Sequence, residues 1–315
     1  KLTDADRVDI HGEPGHENFK ICIPFGDKIP YEEVHVLNAV GNAANAAVSA
    51  SRLGLQTALV SNLGDDLNGK DCLDSLQKDG VNTDFIKINE GIKTNYHYVL
   101  WYKTERTILI KHEKYPYVLP EIGEPKWIYF SSVSRDAFPF HNTVADYLEA
   151  HPNIKLAFQP GKNEINLGKE KLAKLYAHAE IFFCNVEEAR TILGMQDAEV
   201  LELSQGLTAL GPKIVSISDG PNGAYLYVGG ELWKIPLYPD IAPAVDRTGA
   251  GDAFASTIVA GLALGMSPIE AFSWGPINSM SVVQEIGAQK GLLSREKLEE
   301  YLKTAPAEYK PTKIN

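Results

Sequence analysis

An aspartate preceded by two glycines and an alanine stands in the segment DRTGAGDAFAS, residues 246–256. Because glycine and alanine have little or no side chain, the backbone at 249–251 can turn sharply and point successive N–H groups inward. The small and apolar residues that follow predict a helix that ends at Gly265. Free amides and the helix dipole at such an N-terminus favour a bound anion. The segment therefore predicts a phosphate site beside the carboxylate of Asp252.

This carboxylate has two interpretations on the segment alone. An acidic residue in the first turn of a helix is favourable in itself, without any ligand. Beside a bound phosphate, the same carboxylate is placed to accept the proton of a substrate hydroxyl while the amides stabilise charge on the transferred group. The motif does not decide between them, so the choice depends on the other segments of the chain.

A second small-residue segment, GNAANAAVSASRLG at 41–54, predicts a helix that packs very close to a neighbour. Its alanines recur at helical spacing, so one face carries almost no bulk. Gly41, Asn42 and Asn45 lie at its N-terminal end, where side-chain amides can bind hydroxyl groups. A well-packed helix with a polar cap is the alternative interpretation.

Three more polar or glycine-rich turns follow directly after apolar runs: LGDDLNG at 63–69, NVEE at 185–188 and SDGPNG at 218–223. In an open parallel sheet such turns gather at the carboxyl edge of the strands, where ligands bind. We therefore expect them to lie on one edge together with the DRTGAGD segment.

Two kinds of strand pattern organise the rest of the chain. From about residue 55, apolar runs alternate with helical patterns, which predicts a parallel sheet covered by helices on both faces. Four segments instead predict a small antiparallel sheet: FKICIPF at 19–25, EEVHVLNAV at 32–40, TNYHYVLWY at 94–102 and RTILIKH at 106–112. The third is apolar on both faces, so we expect one face to meet a ligand and the other a second subunit, unless it lies in the main core. The chain is read as one α/β domain, 1–315, whose lid strands come from about 19–40 and 94–112.

Bulk properties exclude several classes of protein. The 315 residues are 44% hydrophobic and 23% charged, with a formal net charge of −11, which disfavours a nucleic-acid binder. Apolar stretches are shorter than the ~20 residues of a membrane helix. Three cysteines without C-x-x-C spacing suit a reducing, cytoplasmic compartment. The chain opens at Lys1 without a methionine, so we expect that residues upstream are missing.

Together and in this order, the motifs make the chain similar to the ribokinase-like (PfkB) carbohydrate and nucleoside kinases, from about residue 19 to 291. The helix at 41–54 resembles the family's first signature, LGDDLNG its V-G-x-D-x-x-G turn, NVEE its N-x-x-E motif and DRTGAGD its second signature. The resemblance implies a three-layer α/β/α domain with a mostly parallel central sheet and a small antiparallel lid. It also implies an ATP-dependent kinase acting on a hydroxymethyl group of a small sugar, and a homodimer formed through the lid sheet.

The resemblance assigns roles position by position. Asp252 is implied as the catalytic base, with an anion hole for the γ-phosphate at Gly249, Ala250 and Gly251. The acceptor is implied to bind at Gly41, Asn42, Asn45 and Asp252. ATP and Mg²⁺ are implied to bind through Asn185, Glu188, Ser218, Gly220, Gly223 and Asn278. A monovalent cation such as K⁺, which many members bind, is implied at Asp246, Thr248, Val282, Glu285 and Gly287.

The chain departs from the family pattern at three places. Val40 stands where the first signature normally has a second glycine, and Arg247 replaces a small hydroxyl residue. Arg247 is interpreted as an exposed loop residue, with a contact to Asp246 or to a phosphate as the alternative. The family's first strand and its substrate-binding aspartate are not visible in the sequence.

The acceptor has three interpretations. Basic lid residues would suit a phosphosugar: Lys20, Lys28, Arg106 and Lys111. Aromatic residues would suit the base of a nucleoside: Phe19, Phe25, Tyr96 and Tyr98. His112 and Gln159 are candidates for contacts to an unphosphorylated sugar, which is the acceptor that we expect, with a nucleoside second.

Two other classes of protein share parts of the pattern. A dinucleotide-dependent oxidoreductase shares the strand–helix alternation, but the chain has no G-x-G-x-x-G opening a helix near its start. A catalytically silent nucleotide-binding sensor is the other alternative, and the intact GAGD and N-x-x-E motifs argue against it.

Overall fold

A computed structural model describes residues 9–12, 20–24, 26, 28–102 and 105–315. Its strands are β1 Asp9–His11, β2 Lys20–Cys22, β3 Ser61–Gly64, β4 Ile86–Asn89, β5 Tyr98–Tyr102, β6 Glu105–Leu109, β7 Trp127–Phe130, β8 Lys155–Phe158, β9 Ala179–Asn185, β10 Ile214–Ser218, β11 Ala224–Val228, β12 Glu231–Ile235 and β13 Thr312–Lys313. Its α-helices are α1 Asn42–Arg52, α2 Leu67–Lys78, α3 Phe138–Ala150, α4 Lys162–Leu167, α5 Ala173–His178, α6 Val186–Leu193, α7 Val200–Thr208, α8 Ala250–Ala263, α9 Pro268–Val282 and α10 Arg295–Lys303.

A seven-stranded sheet forms the centre of the fold, in the order β13-β12-β11-β10-β9-β8-β7. Strands β7 to β10 pair in parallel, and β10 to β13 pair antiparallel, so the sheet is mixed. The antiparallel part begins where β11 pairs with β10 and continues through the β11–β12 hairpin, which turns at Gly229 and Gly230. The predicted parallel core is therefore extended by an antiparallel edge.

Helices cover both faces of this sheet, as the continuous apolar run of a strand such as β9 requires. On β9, Ile181 and Phe183 pack into a core with α8, α9 and α10. Their neighbours Phe182 and Cys184 pack into a second core with α3, α5, α6 and α7. Because successive strand residues point to opposite faces, the all-apolar run of β9 serves both cores. The predicted three-layer α/β/α architecture is confirmed.

Helix boundaries follow the signals in the sequence. Ser267 caps α9 and forms a capping box with Glu270, and Pro268 occupies the first helical position. Gly80 and Gly265, with φ of 75° and 91°, follow the ends of α2 and α8. Within the part of the chain that the structure describes, no helix combines the length and the apolar character needed to cross a bilayer.

The lid differs in part from the prediction. Strands β5 and β6 pair as an antiparallel hairpin, and β2 pairs with β1, a short strand in the polar opening segment. Phe19 and Phe25 lie outside the described residues. The predicted strand within 32–40 is wrong, because this segment is irregular and ends in a turn at 38–39. Val34 and Val36 are exposed there, so the alternating pattern does not reflect a paired strand.

A buried carboxylate joins α3 to the loop that follows β8. Glu164 is fully buried, and it accepts hydrogen bonds from the amides of Val133 and Gly161, both at 3.0 Å. The ring of His141, also buried, lies 3.4 Å from the same carboxylate. Burial raises the pKa of Glu164, but the contacts with His141 and the Val133 amide outweigh it, so that the pKa lies below its ordinary value.

Replacing Glu164 by Gln is expected to destabilise the fold by roughly 1–3 kcal/mol at pH 7. Glutamine has one acceptor oxygen where glutamate has two, so one of the two backbone amides would lose its acceptor. The lowered pKa means that this stabilisation is complete above the ordinary value of about 4.5 and is lost as the pH falls through the lowered value. Urea unfolding of both proteins at pH 7 and at decreasing pH measures this difference. The exposed Glu170→Gln is the control, and a pH-independent difference for E164Q would contradict the prediction.

Candidate active site

Helix α8 begins at the DRTGAGD segment and leaves its first amides without a side-chain cap. Gly249 is the N-cap, with a φ of 83°, and no side chain bonds to the helix start. A Cβ at Gly249 would lie 2.3 Å from the Cβ of Ala288, whereas a Cβ at Gly251 would meet no atom within 4 Å. By contrast, α2, α6 and α9 are capped by their own side chains. The start of α8 therefore offers backbone donors and open space, the features of an anion site.

Asp252, in the first turn of α8, is held by the two asparagines of α1. Asn42 Nδ2 donates to Oδ1 at 3.1 Å, and Asn45 Nδ2 donates to Oδ2 at 2.8 Å. The helices approach closely because small residues such as Ala47 and Ala253 meet in one buried cluster. Burial raises the pKa of Asp252, and the two amides oppose this rise without cancelling it. The two small-residue segments thus build one carboxylate site.

Tyr129, on β7, adds a side chain that the sequence did not single out. Its hydroxyl donates to Oε1 of Gln159, one of the predicted sugar-contact residues. Burial, and then the charge of Asp252, raise the pKa of Tyr129 well above its usual value. The phenol therefore stays protonated, with its single O–H donated to Gln159, and lies close enough to Asp252 to respond to its charge.

Asp246 ties the DRTGAGD segment to the loop after α9. Its Oδ1 accepts from the amide and hydroxyl of Thr248, at 2.8 and 2.6 Å, and its Oδ2 accepts from the Gly287 amide at 3.1 Å. The carbonyl of Val282 accepts from the amide of Glu285 at 3.1 Å. The five predicted cation-binding residues are therefore brought onto two adjoining loops. Within the described ranges, no cluster of three or more His, Cys, Asp or Glu side chains accompanies them.

The lid reaches this loop through Arg106, whose Nη1 lies 3.9 Å from Oδ1 of Asp246. Arg106 pairs with Trp101 across the β5–β6 hairpin, so the two share one face. Tyr98 pairs with Leu109 on the opposite face and contacts the ring of Tyr96. The predicted aromatic residues Tyr96 and Tyr98 thus lie on the face turned away from the DRTGAGD loop. Arg247 is exposed, as expected.

The predicted nucleotide residues lie at the ends of two adjacent parallel strands. Asn185 of β9 and Ser218 of β10 are register partners. Asn185 and Glu188 form a capping box on α6, with reciprocal backbone contacts at 2.8 and 2.9 Å. Burial raises the pKa of Glu188, partly offset by the Asn185 amide. The N-x-x-E motif therefore also has a structural role in starting α6.

The glycines and Asn278 differ in their surroundings. A Cβ at Gly223 would lie 2.2 Å from the Ile235 carbonyl oxygen, so this glycine permits close approach of the β11–β12 hairpin, while Gly220 borders open space. Asn278 is fully buried, donates to the Thr257 hydroxyl at 2.7 Å and accepts from the Leu293 amide at 2.9 Å. These contacts join α9 to α8, and a role of Asn278 at an adenine pocket stays a prediction.

The LGDDLNG turn is placed differently from the other motifs. It follows β3, which pairs with β4 in a separate two-stranded parallel sheet, so it does not lie on the edge of the seven-stranded sheet. Asp66 caps α2 and also accepts from the hydroxyl and amide of Thr94, and the Thr94 contact is the main cause of its lowered pKa. The turn joins α2 to the chain entering the lid.

Val40 does not take a glycine-like conformation. Among the described residues, it is Ala39 that has a positive φ without being a glycine, at 55°. Its carbonyl accepts from the side chain of Gln289, a residue with no sequence signal of its own. The positive φ before α1 therefore lies at Ala39 and not at Val40.

Comparisons with known proteins give one consistent result for the chain as a whole. The family model of the pfkB family carbohydrate kinases matches residues 22–295. A fructokinase from Klebsiella pneumoniae is 26% identical, with 83% of this chain and 89% of the relative covered. A ribokinase from Bacillus subtilis is 27% identical, with 83% and 87% covered. The crystal structure of a candidate ribokinase II from E. coli, in complex with ATP and Mg²⁺, superposes with a TM-score of 0.73 at 18% identity, covering 89% of this chain and 94% of that chain.

Proposed function

This chain belongs to the pfkB family of carbohydrate kinases, and from that premise we propose that it transfers the γ-phosphate of ATP to a hydroxymethyl group of an unphosphorylated small sugar. It is a phosphotransferase with an alcohol group as acceptor. One observation carries the mechanism: the Asp252 carboxylate is held by Asn42 and Asn45 beside the uncapped start of α8.

Asp252 acts as the general base. Its carboxylate accepts the proton of the acceptor hydroxyl as that oxygen forms a bond to the γ-phosphorus and the bond to the β–γ bridging oxygen breaks, releasing ADP. A carboxylate with a raised pKa is a stronger base than an ordinary one. The amides of Gly249, Ala250 and Gly251 donate hydrogen bonds that stabilise the negative charge on the transferred phosphoryl group. Positioning of the two reactants accounts for most of the rate acceleration.

The nucleotide lies along the ends of β9 and β10, near Asn185, Ser218 and Gly220. Oxygen donors suit Mg²⁺, and Asn185 and Glu188 supply them at the start of α6. Glu188 uses one carboxylate oxygen in the capping box, so its second oxygen would be left to hold the metal. Mg²⁺ held there would supply positive charge that offsets the charge of the phosphates.

Potassium, a second subunit and a cytoplasmic location complete the proposal. The linked loops at Asp246 and Gly287 are the place for K⁺ beside the anion hole.

The exposed outer face of the lid, which carries Tyr98 and Leu109, is the surface for a second copy of the chain. Burying such a face removes apolar area from water, as a dimer interface does.

The lid contacts favour an unphosphorylated sugar. Arg106 lies beside Asp246, and Lys111 pairs with Glu113 at 2.5 Å, so two of the four candidate cations already have carboxylate partners. A sugar phosphate would compete for these pairs. Tyr96 and Tyr98 lie on the other face of the lid, which disfavours stacking with a nucleobase. Gln159, hydrogen bonded to Tyr129, remains available as a polar contact for a sugar.

Release of ADP from MgATP, measured with a panel of acceptors and with or without K⁺, tests the proposed function. The panel contains ribose, fructose, fructose 6-phosphate, a keto-deoxy sugar acid, adenosine, inosine and cytidine. We expect one unphosphorylated sugar to raise turnover well above the rate of ATP hydrolysis. A nucleoside or phosphosugar as the best acceptor would overturn the proposed substrate class. ATP binding without turnover on any acceptor would favour the nucleotide sensor.

A further inference from the structure

Gln289 lies behind the candidate base, in the loop between α9 and α10. Its Nε2 donates to the Ala39 carbonyl at 2.8 Å and to Oδ1 of Asn45 at 3.0 Å. Asn45 in turn donates its Nδ2 to Oδ2 of Asp252 at 2.8 Å. Side chains from three separate parts of the sequence thus form one series of hydrogen bonds that ends on the carboxylate.

Gln289 is the closer of two donors that hold the Asn45 oxygen away from Asp252. The Oδ1 of Asn45 accepts from Gln289 and, at the longer distance of 3.4 Å, from the Gly41 amide. With its oxygen held there, Asn45 presents its N–H₂ group to the carboxylate. Without the Gln289 donor, the amide can rotate by half a turn and place its oxygen against Asp252. Two acceptors would then meet, and the carboxylate would lose its shorter hydrogen bond.

The backbone around Gln289 is itself fixed in place. Arg52, at the end of α1, donates to the carbonyls of Gln289 and Leu292 at 2.6 and 3.0 Å. The same guanidinium pairs with Asp79 at 2.7 Å. The side chain of Gln289 therefore projects from an anchored loop, as a residue that orients another must.

Gln289 also supports the strained turn before α1. Ala39, at a positive φ, donates its amide to Sγ of Cys72 at 3.2 Å and accepts from Gln289 at its carbonyl. Both polar groups of the strained residue are thereby satisfied, two residues before Gly41 opens the helix that carries Asn42 and Asn45. Strain that is held in this way is typical of functional sites.

We propose that Gln289 is a positioning residue for phosphoryl transfer, which orients Asn45 and, through Asn45, directs the Asp252 carboxylate toward the acceptor hydroxyl. This inference rests on the proposed role of Asp252 as the base. The requirement is for a donor at position 289. Methionine has a similar volume but cannot donate, and an ionised glutamate can only accept.

Asn45 also affects the pH dependence of turnover, because it contacts the Asp252 carboxylate. The side chains that face Asp252 from α1 are the uncharged Asn42 and Asn45, and the titratable group that senses its charge is the Tyr129 phenol on β7. Tyr129 stays protonated, so Asp252 contributes to the acid limb of the pH profile of kcat. Glu188, whose pKa burial also raises, is common to the parent and to the Gln289 variants, so a shift between them reports on Asp252. Asn45 lowers the pKa of Asp252 against the effect of burial. Reversal of the Asn45 amide would therefore move the acid limb to higher pH.

Steady-state kinetics of Q289M and Q289E, across pH and on the full chain, test this proposal with the acceptor found in the panel. We expect kcat to fall by roughly 10- to 100-fold in both variants, the effect of misplacing a catalytic group by about 1 Å or less. We also expect the acid limb of the pH profile of Q289M to move to higher pH. ATP affinity is expected to stay unchanged. Gln77→Met, the same substitution at an exposed residue on α2, is expected to behave as the parent.

The outcomes separate this inference from the proposed function. If D252N loses turnover while Q289M and Q289E keep the parent kcat and pH profile, the inference is overturned and the base assignment stands. If D252N remains active, the proposed function fails first. A lower kcat with an unmoved acid limb and a lower melting temperature would show a merely structural role for Gln289, which also overturns the inference.

Discussion

Replacing Asp252 by Asn is expected to leave MgATP bound while lowering turnover by roughly 10²–10⁴-fold, the usual effect of removing a general base. Asparagine keeps the size of the side chain but cannot accept a proton, and its N–H₂ group replaces one of the two oxygens that accept from Asn42 and Asn45. The anion site depends on backbone amides at the start of α8, so nucleotide affinity is not expected to fall. Calorimetric titration with MgATP and the rate of ADP release measure the two effects separately.

Stability provides an internal check on this variant. A raised pKa means that the folded protein binds the Asp252 proton more tightly than the unfolded chain does. The ionised carboxylate therefore destabilises the fold at neutral pH, and removing its charge in D252N offsets the one hydrogen bond that the new amide loses, so only a small change in melting temperature is expected. Asp197→Asn, an exposed aspartate between α6 and α7, is the control with the same charge change. Turnover of D252N within a few-fold of the parent would rule out the base assignment.

Local signals in the sequence were sufficient for most of the helices and for the order of the motifs. The helix end at Gly265 was predicted from the sequence, because a C-terminal glycine is a local signal. The capping box of Ser267 and Glu270 is a signal of the same kind, since it depends only on neighbouring residues. The strand in 32–40 was predicted wrongly, since alternation records which side chains are apolar but not whether a partner strand is present.

The contacts that build the site lie beyond such local signals. Asn42 and Asp252 are 210 positions apart, so their hydrogen bond follows from the packing of α1 on α8 and not from either motif. The alanines of α1 predicted a close neighbour without naming it. Gln289 and Tyr129 occur in segments without a distinctive pattern, and only the tertiary fold places them near the carboxylate. The double role of Asn185 and Glu188, as cap and as candidate metal ligands, likewise appears only when the start of α6 is seen.

Alanine substitutions at Gly249 and Gly251 are expected to affect stability in opposite directions while both impair catalysis. At Gly249 the new Cβ would lie 2.3 Å from the Cβ of Ala288, on a backbone with a φ of 83°. The loop must shift, so we expect a lower melting temperature and a loss of turnover of roughly 10²–10³-fold, as for loss of oxyanion-hole donors. Gly265→Ala is the control for positive φ, because it lies past the far end of α8 with no atom within 4 Å of its Cβ. Turnover of this control is expected to be unchanged.

Gly251→Ala tests phosphate binding at the start of α8 separately from the stability of the fold. No atom lies within 4 Å of the new Cβ, and alanine is favoured over glycine in a helix by about 1 kcal/mol, so the melting temperature is expected to stay the same or rise. A helical Cβ points toward the N-terminus of its helix, which is where the γ-phosphate is proposed to bind. We therefore expect kcat/KM for ATP to fall at least about 10-fold, in the direction of lost anion-hole contacts. Thermal unfolding and steady-state kinetics measure both effects. If G251A is fully active, the space above Gly251 is not used by the nucleotide, and the anion hole must lie elsewhere than at the start of α8.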